Sequence, residues 1–220
     1  MATDQEWERI FHERPWGKYP SEPVIRFVAR NFYSVPQRSQ VKILDLGCGG
    51  GAHTWYLARE GFDTYGIDGS PSAVKQTEAL LEKEGLNAHL QVGDVSQLNY
   101  PNDFFDVVID SNTIQHNCWR DILKIHAEIK RVLKKHARCL SIIVNSETTG
   151  QAGAETLEIN THIGLQNGFI MPNVLIHLLT PQELDVLTAG YDEINVELTK
   201  REDRVRADKI VHYVWSGRKK

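Results

Sequence analysis

The sequence predicts an α/β fold, an open and mostly parallel sheet with helices on both faces. Three observations lead to it. Between residues 41 and 144, apolar runs of strand length alternate with amphipathic stretches of helical period. The first apolar run, Val41, Ile43, Leu44 and Leu46, passes through three alternating glycines, Gly47, Gly49 and Gly51, straight into a helical pattern. The chain then finishes on two apolar runs, residues 194–198 and 210–215, that read as a strand hairpin.

At 220 residues the chain is predicted to be one domain, residues 1–220, long enough to bury a substantial core. The N-terminal ten residues are charged and carry no apolar signal core, and no apolar run is long enough to span a bilayer. Cys48, Cys118 and Cys139 are scattered and suggest neither a disulfide framework nor a zinc knuckle, so no metal is expected. These features point to a cytoplasmic protein with no membrane partner. Net charge is −4, from 25 basic and 29 acidic residues, which supplies no field for holding nucleic acid.

Residues 1–40 are predicted to form a helical N-terminal lid. Trp7, Ile10 and Phe11 share one helical face, and Pro15-Trp16-Gly17-Lys18-Tyr19-Pro20 interrupts it. Ser21 is placed as N-cap of a second helix with the stripe Val24, Phe27, Val28 and Phe32. The plainest expectation is a cap packed on the sheet edge.

Residues 41–144 form the predicted ligand-binding core. Glycines at a strand-to-helix turn let backbone amides approach a ligand, and the next helix points its positive end there. Gly47-x-Gly49-x-x-Ala52 also satisfies the loose dinucleotide fingerprint. A second strand, residues 64–67, ends at Asp68, seventeen residues after Gly51, where a carboxylate can accept from both hydroxyls of a ribose. Ser70-Pro71 opens a helix as N-cap and first residue. Residues 90–95 and 104–111 read as the third and fourth strands. In such sheets ligands sit beyond the carboxyl ends of the strands, near the point where strand order reverses. Strands one and four flank that point, so Ser111, Asn112 and residues 113–117 are expected to line the reaction centre. His116 could take a proton from a substrate there, or simply pack beneath the loop. Ile122, Ile125, Ile129, Val132 and Leu133 mark an amphipathic helix, and residues 139–144 a fifth strand.

Residues 145–179 are long for a connection and are read as a substrate-side insertion. Glu158, Thr161, His162 and His177 are its candidate polar contacts. Residues 180–220 open with a capping box, Thr180 to Glu183 with Pro181 between them, and end in a short helix and the hairpin.

Four segments carry a family resemblance. Asp45 ahead of the glycines gives D-x-G-x-G-x-G. Residues 93–98 give G-D-V-x-x-L, residues 105–108 give F-D-x-V, and residues 180–191 give T-P-x-E-L…A-G-Y. From residue 41 to the C-terminus the chain thereby resembles the class I methyltransferases that depend on S-adenosylmethionine (SAM), in a small-molecule, type 11-like form. The resemblance implies a Rossmann-like sheet of seven strands with an antiparallel last strand, and SAM as cofactor. It implies cofactor contacts from Asp45, Gly47, Cys48, Gly49 and Gly51, from Asp68 and Gly69 at the ribose, and from Asp94 and Val95 at the adenine. Ser111 and Asn112 follow at the end of strand four, with Trp16 closing from the lid. Tyr19, Glu158, Thr161 and His162 are the implied substrate contacts.

The implied reaction is methyl transfer to oxygen or nitrogen of a small-molecule acceptor, by a monomer or homodimer. His116 and His177 are the candidate bases should the acceptor be a hydroxyl. Asp110-Ser111-Asn112-Thr113 does not match the N-P-P-[YF] pattern of enzymes that methylate amino groups of nucleic acids. Two alternatives stay open: an NAD(P)-dependent oxidoreductase, and a non-catalytic SAM-binding subunit that needs another chain.

Overall fold

The computed structural model describes residues 2–220. Its main sheet has seven strands in the order β3-β2-β1-β4-β5-β10-β9. β1 (Lys42–Leu46), β2 (Asp63–Asp68), β3 (His89–Val92), β4 (Phe105–Ser111) and β5 (Leu133–Val144) are mutually parallel. β10 (Asp208–Lys219) runs antiparallel to both of its neighbours, β5 and β9 (Tyr191–Asp203). The predicted sheet, mostly parallel with an antiparallel last strand, is the observed one. Strand order reverses between β1 and β4, which places a crevice beyond their carboxyl ends.

The central strands are covered on both faces, so Ile43, Leu44 and Leu46 are all fully buried and show no alternation. On one face α5 (Trp119–Val132) and α6 (Pro181–Thr188) bring Ile122, Ile125 and Leu187 against Leu44, Val108 and Trp215. On the other, α2 (Glu22–Phe32), α3 (Ala52–Arg59) and α4 (Pro71–Glu82) bring Phe27, Leu57 and Leu81 against Ile43, Val107 and Ile109. α1 (Ala2–Glu13) lies at the carboxyl edge, against α4.

The helix starts follow the sequence at two of three places. Ser70 accepts from the Ala73 amide at 3.0 Å, and the Thr180–Glu183 capping box is formed. Ser21 does not cap α2; its hydroxyl lies 3.2 Å from His53 Nε2, which draws the oxygen away from the helix amides. Two further expectations differ. β5 begins at Leu133, directly after α5, and not at residue 139. Residues 145–179 hold a second sheet, β6 (Glu155–Glu158), β7 (Thr161–Ile163) and β8 (Leu175–His177). At the chain end Arg218 and Lys219 pair with Asp192 at 2.9 Å and Asp103 at 3.0 Å. Among the described residues no helix is long and apolar enough to cross a membrane.

Candidate functional site

The glycine loop turns in the left-handed region at Gly47, Gly49 and Gly51, with φ of 68°, 54° and 87°. A Cβ at Gly47 would lie 2.2 Å from the Thr113 side chain, and one at Gly51 2.7 Å from Thr77 Oγ1. The loop is also tied from outside. The Cys48 amide donates to Ile67 O at 3.0 Å, the Gly49 amide to Asp68 Oδ2 at 2.8 Å, and the Thr77 hydroxyl to Gly49 O at 2.8 Å. The Thr113 hydroxyl donates to Leu46 O at 2.9 Å, locking β4's exit to β1's.

Three carboxylates surround this loop. Asp45 is buried beneath it and accepts from the Thr54 hydroxyl at 2.6 Å, joining β1 to α3. Asp68 accepts from the Gly49 and Ser70 amides at 2.8 and 2.9 Å. Asp110 is fully buried and accepts from the Ser141 hydroxyl at 2.5 Å and from the Thr113 and Ile114 amides at 3.1 and 3.2 Å. Burial raises all three above the ordinary carboxyl range, Asp110 to about 6. The charges of Asp45 and Glu8 raise Asp68 further. Among the described residues no lysine or arginine pairs with any of the three. Cys48 points its thiol into the core, where burial pushes its pKa well up, so only its backbone faces the loop's open side.

Beyond β2 and β3, Gly69 and Asp94 are exposed and Val95 is half-buried. The Gly93 amide donates to Asp68 O at 2.9 Å, and Asp94 accepts from the Ser96 amide at 2.7 Å. Among the described residues the second oxygen of the exposed Asp94 carboxylate has no partner.

At the end of β4, Asn112 adopts φ of 63°, a conformation asparagine tolerates. Its amide donates to Ile142 O at 2.9 Å and its Nδ2 to Ser111 Oγ at 3.5 Å. Its Oδ1 is buried with no partner among the described residues. His116 follows on a short 3-10 turn. Its Nδ1–H donates to Leu175 O at 2.7 Å, which leaves Nε2 with its lone pair, 3.4 Å from the Gln115 amide nitrogen. Burial pushes the His116 pKa down to about 4, so the imidazole is neutral.

The N-terminal segment lies over this site. Trp7 sets its ring edge-on to His116, centroids 4.7 Å apart, and Phe11 and Trp16 rest on Gly49 and Gly50. Glu8 accepts from the Ser70 and Ser72 hydroxyls at 2.5 and 2.6 Å, beside Asp68. Gln76 of α4 holds the segment's backbone, donating to Arg14 O at 3.0 Å and accepting from the Trp16 amide at 3.1 Å. Trp16 is therefore on the glycine loop. Tyr19 is not: it stands 80 % exposed, edge-on to Trp55 of α3. Glu8 and Gln76 were not singled out in the sequence. Trp7 was read only as part of an apolar helical face, and Thr113 only as part of the segment expected to line the reaction centre.

Of the insertion's four candidates, three come together. The Thr161 hydroxyl donates to Glu158 at 3.1 Å, and His177 Nδ1 lies 2.7 Å from Thr161 Oγ1. Glu158 also accepts from the Trp119 amide at 2.6 Å, at the start of α5. His177 is fully buried, 3.2 Å from Glu183 and stacked on Trp119. His162 faces elsewhere, 3.1 Å from Thr156 Oγ1. Among the described residues no group of histidines, cysteines and carboxylates is placed to hold a metal ion.

Comparison with known proteins adds to this geometry. Residues 43–136 match the model of a methyltransferase domain family. The chain is 27% identical over 211 residues to the ubiquinone biosynthesis O-methyltransferase of Rickettsia prowazekii, covering 90% of this chain and 78% of that protein. It is 41% identical over 124 residues to the EEF1A lysine methyltransferase 2 of Mus musculus, covering 51% of each. Against several other curated relatives the chain spans only a third to under a half of their length. The crystal structure of a SAM-dependent methyltransferase from Methanosarcina mazei shares the fold, with a TM-score of 0.64 at 23% identity, covering 81% of this chain and 92% of that one.

Proposed function

We propose that this chain is a class I SAM-dependent methyltransferase and that it transfers a methyl group from SAM to the oxygen or nitrogen of a small-molecule acceptor. The observation that carries the cofactor reading is the charge at the glycine loop. Asp45, Asp68, Asp110 and Glu8 surround it without a lysine or arginine in balance. That surrounding favours a cationic sulfonium and opposes the diphosphate of a nicotinamide dinucleotide. The remaining fit is also good. Glycines fill places where a Cβ could not stand, and Asn112 Oδ1 is an orphaned acceptor at the end of β4.

Asp68, Gly49 and Gly69 would hold the ribose side, Asp94 and Val95 the adenine side, and Ser111 and Asn112 the amino-acid side. When bound, SAM supplies a methyl group on a sulfonium that is already a good electrophile. The chain's work is then positioning and proton handling. Holding two reactants in line can contribute roughly 7–11 kcal/mol to the lowering of a barrier. His116, neutral and fixed by Leu175 O, offers Nε2 to a hydroxyl or ammonium proton of the acceptor. Trp7, Phe11 and Trp16 keep water from the crevice. His177, fully buried between Thr161 and Glu183, is assigned to holding the insertion and not to proton transfer.

The relatives differ in acceptor, and the ubiquinone O-methyltransferase supports the small-molecule reading. A protein lysine is the second acceptor class, on the strength of the 41% match to a lysine methyltransferase. The test is calorimetric titration of wild type and Asp68→Ala with SAM, its demethylated product and NAD. Micromolar binding of SAM and its product, weakened at least tenfold in the variant, is expected. Binding of NAD in their place would overturn the proposal. Methyl transfer from labelled SAM to small molecules or to protein then separates the two acceptor classes, and binding without transfer to either would leave the non-catalytic subunit.

A further inference from the structure

The seven-stranded sheet ends on β9, whose outer edge pairs with nothing among the described residues. An edge of this length is commonly guarded by charges, proline or bulges. β9 is guarded at its two ends and not in its middle. At the start, Glu193 sits in a left-handed conformation (φ 48°), where the register with β10 shifts. At the far end come Lys200, Arg201, Glu202 and Asp203. Between them lie Ile194, Val196 and Leu198, which are 46%, 44% and 57% exposed.

These three apolar residues share one face. Val196 and Leu198 stand opposite Trp215 and Tyr213 of β10, which turn toward α5 and α6. Ile194 is two residues back along the same strand. The opposite face carries Asn195 and Glu197.

The strand is self-complementary in one antiparallel register. About a two-fold axis through Val196, Ile194 meets Leu198, Val196 meets its own copy, and Leu198 meets Ile194. On the other face Asn195 Nδ2 donates to Glu197 Oε1 at 3.1 Å within the chain and Arg26 Nη1 donates to Glu197 Oε2 at 2.6 Å, so this register sets two internally paired polar units beside each other. Shifting the axis to Glu197 sets Ile194 against Lys200. Shifting it to Leu198 sets Lys200 against Val196. Apolar pairing selects the first register. We infer that residues 194–198 of β9 are the dimer interface of this protein, pairing with a second copy about a two-fold axis at Val196 to form one sheet of fourteen strands. The inference stands apart from the methyltransferase reading, because no residue of the crevice takes part.

The experiment is sedimentation velocity on the full chain, at concentrations up to roughly 100 µM. Wild type is expected at twice the mass of one chain. Val196→Asp and Val196→Lys are each expected to run as monomers, with circular dichroism melts like wild type, since residue 196 is half-exposed. Mixed in equal amounts they are expected to regain the dimer mass, because only an axis at residue 196 sets the new aspartate against the new lysine. A monomeric wild type overturns the inference. So does a dimer that survives both substitutions, or a pair of variants that fail to recombine.

Discussion

The Nδ1–H of His116 donates to the carbonyl oxygen of Leu175 at 2.7 Å, across 59 residues of sequence. The bond fixes both the tautomer and the ring plane, and it aims Nε2 away from the insertion. With burial holding the pKa at about 4, the ring stays neutral through the physiological range.

His116→Asn should lower kcat by roughly 10²–10⁴ for a hydroxyl or ammonium acceptor. SAM affinity should stay within about twofold, because the ring is not among the groups proposed to hold the cofactor. The wild-type rate should show no His116 titration until the pH approaches about 4. Steady-state kinetics and calorimetry on the pair check this. An unchanged kcat would remove His116 from proton transfer.

Gly47→Ala should destabilise the fold by about 3 kcal/mol. The new methyl would strike Thr113 at 2.2 Å, and φ of 68° is strained for alanine. Thr113→Ala in the same chain should recover only the part due to Oγ1 and Cγ2, because the Cβ at 2.7 Å stays in place and about 1 kcal/mol of backbone strain remains. Urea unfolding of the single and double variants measures that part. No recovery in the double variant would place the cost outside the Thr113 hydroxyl and methyl.

Glu8→Ala should free α1 from the N-terminus of α4, where Glu8 accepts from Ser70 and Ser72. Protease cleavage within residues 1–20 should quicken and SAM should dissociate faster. Melting of the core should move by no more than about 1 kcal/mol. Limited proteolysis read by mass spectrometry and stopped-flow release tests it, and unaltered cleavage would show that the aromatic contacts alone hold the lid.

Stability should fall on acidification from about pH 6.5 toward pH 4. Burial depresses His116 and His212 to about 4 and His126 to about 3. Below the unfolded histidine pKa, near 6.5, the unfolded chain takes up protons that the folded chain refuses, so unfolding gains. For the buried His126 the loss is on the order of several kcal/mol at its acid limit. Asp45, Asp68 and Asp110, raised by burial and Asp110 to about 6, act in the opposite sense, while carboxylates held low by hydrogen bonds, Glu8 and Glu128 among them, act with the three imidazoles toward the acid end of the window. The urea midpoint at about pH 5 should therefore lie below that at about pH 7.5, and a midpoint that rises would reverse the argument.

Much of this architecture is legible in the sequence because each core strand is short, apolar and bounded by turn residues. Val107, Val108 and Ile109 can only be a covered strand, and Thr180 with Glu183 can only open a helix well. The insertion's strands escaped because they are three or four residues long and lack alternation, with β6 exposed along its whole length. Ser21 misled because a capping residue looks the same whether or not a histidine such as His53 competes for its oxygen. The lid's polar latch was out of reach for a different reason. Glu8 finds Ser70 62 residues away, and no local pattern encodes such a meeting.

Glu158 and Leu175 have a consequence for engineering. Cys118 leaves the start of α5 without a side-chain cap, and the Glu158 carboxylate takes the Trp119 amide in its place. The Leu175 carbonyl clamps His116. The insertion, proposed to face the acceptor, is thus also scaffolding for the residue proposed to take its proton. A cassette exchange of residues 145–179 meant to retarget the protein would strip a helix of its cap and loosen the imidazole in one cut. Donor segments that bring a carboxylate and a carbonyl to those two places are the ones that can be grafted.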